Sequence, residues 1–476
     1  MTRVAAVDIG ATSGRVLVAE LPDGVPTLKE VARFANHPRE LDGEWVWDVA
    51  ALHRAMLDGV AMAADVASFG IDTWAVDYGV LDCDRGSLIG PVRAYRDPRH
   101  GQGMTIVETA LSWNELYEIT GIQRMPINTI YQIAADRPQR IGEGTAMLMV
   151  PDLLTYWTTG VMATDITNAS TTAMVDLRDR AWSERVRSAL DLPAPAFLAP
   201  SEPGEIRGEA MDRRLSGLPL IGVATHDTAS AFAGTPMRDR AQALVVSLGT
   251  WALVGAEVIG ALPSARAREL NITHEIGVDG TVRLLRNACG MWLLEECRRD
   301  WTRVDGREPS VPDLLDAALQ SRAFAAVVDV DTPALASPGQ TERTIASRVV
   351  GSLDGSRGAL VRMLLESLVV RIVECVAQVE EIAGGPRPVI HVVGGASRLA
   401  PVMQWLADAS GRTVVAGPVE ATALGNAVVQ WRVHGTVADL AQARELIALM
   451  PELREYHPLG SRQPWEDLGS RLKEGS

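Results

Sequence analysis

The sequence predicts an α/β protein of two lobes around a central anion-binding cleft. Three observations carry this reading. The chain has 476 residues, more than one domain usually holds, so two large domains are the natural division. A phosphate-loop pattern stands near the start, VAAVDIGATSGRVLVAEL over Val4–Leu21. It recurs as ALVVSLGTWALVGAE over Ala243–Glu257. Each is an apolar run, a Gly-centred turn of small and hydroxyl residues, and a second apolar run. Such a hairpin turns several backbone N–H groups toward one point and makes an anion-binding nest.

Two such hairpins in one chain resemble the plan of the actin-like (ribonuclease H-like) ATPases, in which two related lobes grip one polyphosphate. The elements fit it in order. Val4–Ala19 and Val31–Phe34 have β patterning, Asp48–Ala64 reads as a helix, and Val66–Trp74 as a strand. Ala94–Trp182 is richer in helical pattern and polar loops. Ser201–Leu218 reads as loop, and Pro219–Ala224 as a strand running into ATHDTAS. Thr235–Gln242, TPMRDRAQ, marks the lobe boundary, giving lobes of residues 1–240 and 241–476. The second lobe is expected to carry helices at Gly290–Trp301 and Gly358–Ile382 and a strand at Pro388–Val393. After GPVEATALGNAVVQW the tail reads as helical and polar. Apart from the hairpin pair there is no sequence repeat, so any duplication is topological.

Composition narrows the function. A net charge of −15 argues against nucleic acid or an anionic membrane as the main partner. Cys83, Cys289, Cys297 and Cys375 form no CxxC and no zinc spacing, and read as thiols in a reducing compartment. The chain opens into a strand and not into a secretory signal, and the apolar stretch Ala359–Ile382 is broken by charges, so a cytoplasmic protein is expected. Lys29 and Lys473 are the only lysines, and each follows a Leu. No GxxxxGK[ST] loop and no kinase VAIK strand can be built from them. If the chain handles ATP, it does so without a phosphate-gripping Lys, a condition that the actin-like site of backbone amides, hydroxyls and Mg²⁺ meets.

Several residues could serve that chemistry. Asp227 lies at a strand end between His226 and Thr228. Its carboxylate could accept a hydroxyl proton during phosphoryl transfer, or cap the helix that follows. Asp8, at the first hairpin, could orient Mg²⁺ through water or close an Asx-turn. Ala11, Thr12, Ser13 and Gly14 offer N–H groups and hydroxyls to phosphate, Arg15 adds charge, and Thr250 is their equivalent in the second hairpin. Gly394 and Gly395 follow a strand and open a helix, where a nucleoside could lie against backbone. Asp72 and Trp74 at a strand end suit a sugar's hydroxyls and C–H face, or a core Trp with a turn Asp. Arg286, Asn287 and Glu295 surround the start of the Gly290 helix.

Together these segments resemble the FGGY carbohydrate kinase family from about Val4 to beyond Gln430. The marks are GIDTWAVDYG (Gly70–Gly79), YRDPR (Tyr95–Arg99), TGIQRMPINTIYQ (Thr120–Gln132), ITNASTTAMVDLRDRAW (Ile166–Trp182), ATHDTAS, SLGTWALVGAE, NITHEIG with RLLRNACGMWLLEE (Asn271–Glu296), and AGPVEATALGN (Ala416–Asn426). The resemblance implies phosphorylation of the ketose L-rhamnulose at its C1 hydroxyl by ATP with Mg²⁺. It implies Asp227 as base, with Ala75, His226, Thr228 and Asn287 near the sugar. It implies ATP contacts from Ala11 through Arg15 and from Thr250, Glu295 and Gly395. Three positions depart from the family's pattern. Ala75 stands for Gly and narrows the approach to the backbone. Glu295 stands for Gln and turns a donor into an acceptor. Ala396 replaces the third Gly of a GGG turn. A sister ketose kinase of fuculose or xylulose type, or an actin-like ATPase without an acceptor, remains open on the sequence.

Overall fold

The structure is a computed structural model and describes residues 2–136, 140–335 and 342–475. Two compact units emerge. The first comprises Met1–Arg238, Glu257–Leu284 and Glu420–Pro451; the second comprises Asp239–Ala256, Leu285–Val419 and Glu452–Ser476. The expected cut at 240/241 treats the lobes as contiguous. Here two later segments return to the first unit.

The first unit is built on a six-stranded sheet. Its strands are β1 (Val4–Ile9), β2 (Ser13–Glu20), β3 (Thr27–Ala35), β4 (Phe69–Thr73), β5 (Ile206–Glu209) and β6 (Pro219–Ile221), in the order β5-β6-β4-β1-β2-β3. β1 to β3 form an antiparallel meander, and β4 lies parallel to β1. Helix α1 (Val49–Ala61) is capped by Asp48, whose side chain accepts from Ala51 N at 3.0 Å. Its apolar face (Leu52, Met56, Val60) shares a core with Val7, Val16 and Ile71. β5 corrects the loop expected over 201–218. Its residues are polar or exposed, with a register shift between Ile206 and Glu209 and Gly208 at φ 101°, so the edge strand carries no alternation to read.

The helix Ala421–Val433 completes this unit from far along the chain. Asn426 and Gln430, one turn apart, reach the sheet: Gln430 donates to the Ala5 carbonyl at 3.0 Å and accepts from Ser68 Oγ at 2.7 Å. That helix packs at backbone distance on α2 (Asp227–Ala233). A Cβ on Gly425 would stand 1.8 Å from the Ser230 carbonyl oxygen, and one on Gly234 would stand 2.0 Å from that of Ala421. Only glycine allows this approach.

The second unit repeats the hairpin plan. β7 (Ala243–Leu248) and β8 (Trp251–Ile259) are antiparallel, β9 (Val389–Val393) is parallel to β7, β10 (Thr413–Ala416) is parallel to β9, and β11 (Arg454–Tyr456) is antiparallel to β10. β11 lies in the tail read as helical; it is three residues long, too short for periodicity to reveal. Helix α3 spans Trp292–Asp305, and α4 spans Arg357–Ala383 between the Ser356 cap and Gly384 at φ 89°. Gly394 and Gly395 do not open an α-helix directly. A 3₁₀ turn covers Gly395–Arg398, and α5 begins at Ala400 (Ala400–Ser410). Among the described residues no helix is long and apolar enough to cross a membrane.

Candidate active site

In the first unit the candidate residues gather where β1 and β4 end and α2 begins. Asp8 and Asp72 are register partners on β1 and β4. Thr73 and His226 bridge in parallel, and Thr73 N donates to the Thr225 carbonyl at 2.9 Å, so the segment before α2 runs beside β4. That brings Asp227 into the electrostatic field of Asp8 and Asp72.

Asp8 is buried on β1 and closes no Asx-turn. Its Oδ2 accepts from Arg15 Nη2 at 2.6 Å, and Arg15 Nη1 also donates to Glu420. Burial pushes the Asp8 carboxyl up to about 6; Arg15 opposes this, while Asp227 and Glu420 add to it. Asp72 is pushed well above the usual carboxylate range, by burial first and Asp8 second, although Asn426 Nδ2 donates to its Oδ2 at 2.6 Å. Its Oδ1 is buried and has no hydrogen-bond partner among the described residues. Asp227 differs: 31% of its side chain is exposed. The N-cap of α2 is His226, so the Asp227 carboxylate does not cap the helix. Its Oδ1 takes the Thr228 hydroxyl at 3.0 Å and lies 3.4 Å from His226 Nε2. Asp165 fixes the approach, accepting from Thr225 N at 3.1 Å and Thr167 N at 3.1 Å.

The first hairpin turns at Gly10–Thr12. Gly10 N donates to the Ser13 carbonyl at 2.9 Å, and Asn36 ties the turn from β3's end through its N to Thr12 O and its Nδ2 to Gly10 O. Thr12 is exposed, and Ala11, Ser13 and Arg15 are half-buried. Gly14 is buried in β2, where a Cβ would stand 2.1 Å from the Phe34 ring. Its missing side chain is explained by packing.

Trp74 is buried with its ring centroid 4.4 Å from that of Trp47. Both indoles donate to Asp77 Oδ2, at 2.9 and 2.6 Å. Burial pushes the Asp77 carboxyl up to about 6 against those donors. Ala75 is half-buried, and Val76 has φ 69°, a conformation costly for a β-branched residue. Thr129 Oγ1 and Gln132 Nε2 hold the Val76 carbonyl at 2.7 and 3.1 Å. The structure thus ties Trp74 into a buried network and leaves Ala75 as the more accessible residue of that segment.

In the second unit the β7–β8 turn is closed by backbone alone: Gly249 N to Trp251 O at 2.9 Å, Gly290 N to Thr250 O at 3.1 Å, and Met291 N to Gly249 O at 2.9 Å. Thr250 is half-buried at this turn. Gly394 has φ 90°, and Gly395 is exposed with no atom within 4 Å of a Cβ built on it. Asn287 is half-buried on the strand Thr281–Cys289. Glu295 sits on α3 with both carboxylate oxygens on Arg298 Nη1, at 2.8 and 2.7 Å.

Among the described residues no group of three or more His, Cys, Asp or Glu side chains is arranged to hold a metal ion. Of the two adjacent carboxyl groups only Asp8 has any exposure, so it is the one that could meet a hydrated Mg²⁺ through water; Asp72 is fully buried.

Sequence reasoning missed Glu420, Asn426, Asp165, Glu275 and Arg283. Each meets a partner remote in sequence; Glu420, Asn426, Glu275 and Arg283 stand inside distinctive strings that could have drawn attention to them, and Asp165 lies just ahead of one.

Known proteins resemble the whole chain. The family models for the FGGY family of carbohydrate kinases match residues 4–234 with the N-terminal domain and 244–433 with the C-terminal domain. A rhamnulokinase of Bacteroides thetaiotaomicron is 37% identical over 468 residues, covering 95% of each chain. One from Pectobacterium carotovorum is 36% identical, covering 96% of this chain and 93% of its own. Plasmodium falciparum glycerol kinase with ADP superposes with TM-score 0.82 at 16% identity, covering 100% of this chain and 97% of its own. Ligand-bound xylulose kinase of Lactobacillus acidophilus gives 0.79 at 14%, with 100% and 97% covered. These two structures establish likeness of fold.

Proposed function

The chain belongs to the FGGY family of carbohydrate kinases, and from that premise we propose that it transfers the γ-phosphoryl group of ATP to the C1 hydroxyl of L-rhamnulose. The observation that carries the reading is the contrast among three aspartates. Asp8 and Asp72 are buried, whereas Asp227, in the field of both, is partly exposed and leaves one oxygen clear of its two intramolecular contacts. A general base must reach its proton donor, and only Asp227 of the three is placed to do so. The sugar is chosen because relatives alike over nearly the full length are named rhamnulokinases.

In this reading the first unit binds the ketose through the Ala75 backbone, His226 and Thr228, with Asp72 and Trp74 shaping the segment behind it. Asn287 is a further sugar contact that the family resemblance implies. The amides and hydroxyls of Ala11–Ser13 and of Thr250 hold phosphate, and Arg15 adds positive charge. The backbone at Gly394 and Gly395, with Glu295, holds the nucleoside. Mg²⁺, when bound with ATP, offsets charge on the transferring phosphoryl group, and Asp8 would orient it through water. Asp227 takes the C1 hydroxyl proton as that oxygen attacks phosphorus.

ADP release with Mg-ATP tests the proposal, comparing L-rhamnulose with L-fuculose, L-xylulose, D-xylulose and no sugar. Selective stimulation by L-rhamnulose is expected. Selective stimulation by another ketose would keep the Asp227 chemistry and move the specificity to Ala75 and its neighbours. Turnover that ignores sugar would overturn the kinase reading.

A further inference from the structure

Three buried groups meet behind the Asp227 carboxylate. His226 Nδ1 lies 3.2 Å from Arg283 Nη2 and 3.4 Å from Glu275 Oε2. Arg283 Nη2 also reaches the Ile276 carbonyl and Glu275 Oε2, each at 3.2 Å. The Arg283 side chain is fully buried, and those of His226 and Glu275 are 8% exposed. Burying an Arg–Glu pair costs desolvation that an apolar pair would avoid, so its retention calls for a task.

A guanidinium only donates. Nδ1 stands 3.2 Å from this donor and 3.4 Å from the Glu275 carboxylate, which only accepts; the shorter contact has Nδ1 accept from Arg283 and leaves the imidazole proton on Nε2. Nε2 is 3.4 Å from Asp227 Oδ1, at the long end for a hydrogen bond, as is common before substrate binds. The opposite tautomer would set an Nδ1–H against the Arg283 guanidinium, the shortest contact of the ring, as well as an Nε2 lone pair against Asp227.

We propose that Arg283, anchored by Glu275, is a positioning residue that locks His226 as its neutral Nε2–H tautomer, and that this N–H steers Asp227 Oδ1 so that Oδ2 faces the sugar hydroxyl. The proposal rests on Asp227 being the base. Thr228 works with it, since its hydroxyl donates to the same Oδ1.

Imidazole ¹⁵N–¹H correlation spectra of the full chain test it, with His226→Gln identifying the resonance. The wild type should show the Nε2–H pattern. Arg283→Met and Glu275→Gln should each give mixed tautomers, with kcat down about 10- to 10²-fold and KM for ATP nearly unchanged, the scale of a misaligned catalytic group. Arg283→Lys, which keeps a donor, should recover part of that loss. An Nδ1–H pattern in the wild type overturns the inference. So does an unchanged tautomer and kcat in Arg283→Met. Should that variant not fold, the wild-type spectrum and Glu275→Gln decide alone. The spectra need no turnover: an Nε2–H pattern in a protein that ignores ketoses would keep the lock and sink the kinase reading.

Discussion

The two hairpins share a backbone device and differ in what stands beside it. The first is flanked by Asp8, Arg15 and Glu420, a charged chain spanning β1, β2 and the start of the helix Ala421–Val433. The second is closed by Gly249, Gly290 and Met291 through main-chain bonds. Glycine is required for a different reason in each. In the first, Gly14 gives way to the Phe34 ring; in the second, Gly290 gives way to the backbone of Gly249 and Trp251, while Gly249 itself has open space around it. Amides suffice to hold a polyanion. In the proposed reading, the charged side chains of the first hairpin stand where a proton and a metal would have to be managed as well.

That comparison can be broken. The largest effect should come from Asp227→Asn, which lies beside the charged hairpin: kcat falls on the order of 10²–10⁴-fold with ATP affinity nearly intact. Retained kcat would remove the reason for gathering charge there. Next, Gly14→Val should cost about 1–3 kcal/mol of stability by overpacking against Phe34, whereas Gly249→Ala should stay within about 0.5 kcal/mol. Urea denaturation of both variants reads the difference, and equal losses would mean that the turns are packed alike. Arg15→Gln should raise KM for ATP roughly tenfold, the loss of one charge-assisted contact, against a smaller rise for Thr250→Ala. Steady-state kinetics showing the reverse order would shift phosphate binding to the neutral hairpin. Gly395→Leu, in open space, should leave folding intact and weaken ATP more than the ketose; equal weakening in titration calorimetry would remove the nucleoside from that turn.

The smallest effect concerns pH. Asp77 is pushed up to about 6 by burial. The folded chain therefore holds a proton that the unfolded chain releases, and the associated stability is lost as pH rises from about 4 to about 6. The melting temperature should fall by a few degrees across that window, and Asp77→Asn should flatten the decline. An unchanged slope in that variant would assign the effect to other carboxyl groups.

The sequence disclosed what is local. Alternation and a Gly-centred turn are properties of neighbouring residues, so both hairpins, helix α1 and the strand before Gly394 were legible. The polar cluster around Asp227 reads as a strand end; it falls instead at the first turn of α2, past a strand that stops at Ile221. The short edge strands β5 and β11 were not legible, since three or four polar residues hold no period. Nor were the partners that give the aspartates their character. Glu420 meets Arg15 across 405 positions and Asn426 meets Asp72 across 354, and no window of sequence contains both ends. Trp74 illustrates the reverse case: its residue type fitted a sugar platform, but Trp47 and Asp77 draw it into the core.

The glycine contact between α2 and the helix Ala421–Val433 has a consequence for how the protein comes into being. On a ribosome the first 238 residues emerge long before residue 421. Until then Ser68, Asp72 and the Ala5 carbonyl lack Gln430 and Asn426, and the helix bearing Asp227 lacks the surface it is pressed against. The nascent first unit is a vacancy waiting for its keystone. The packing behind Asp227 is thereby deferred to the last stretch of synthesis.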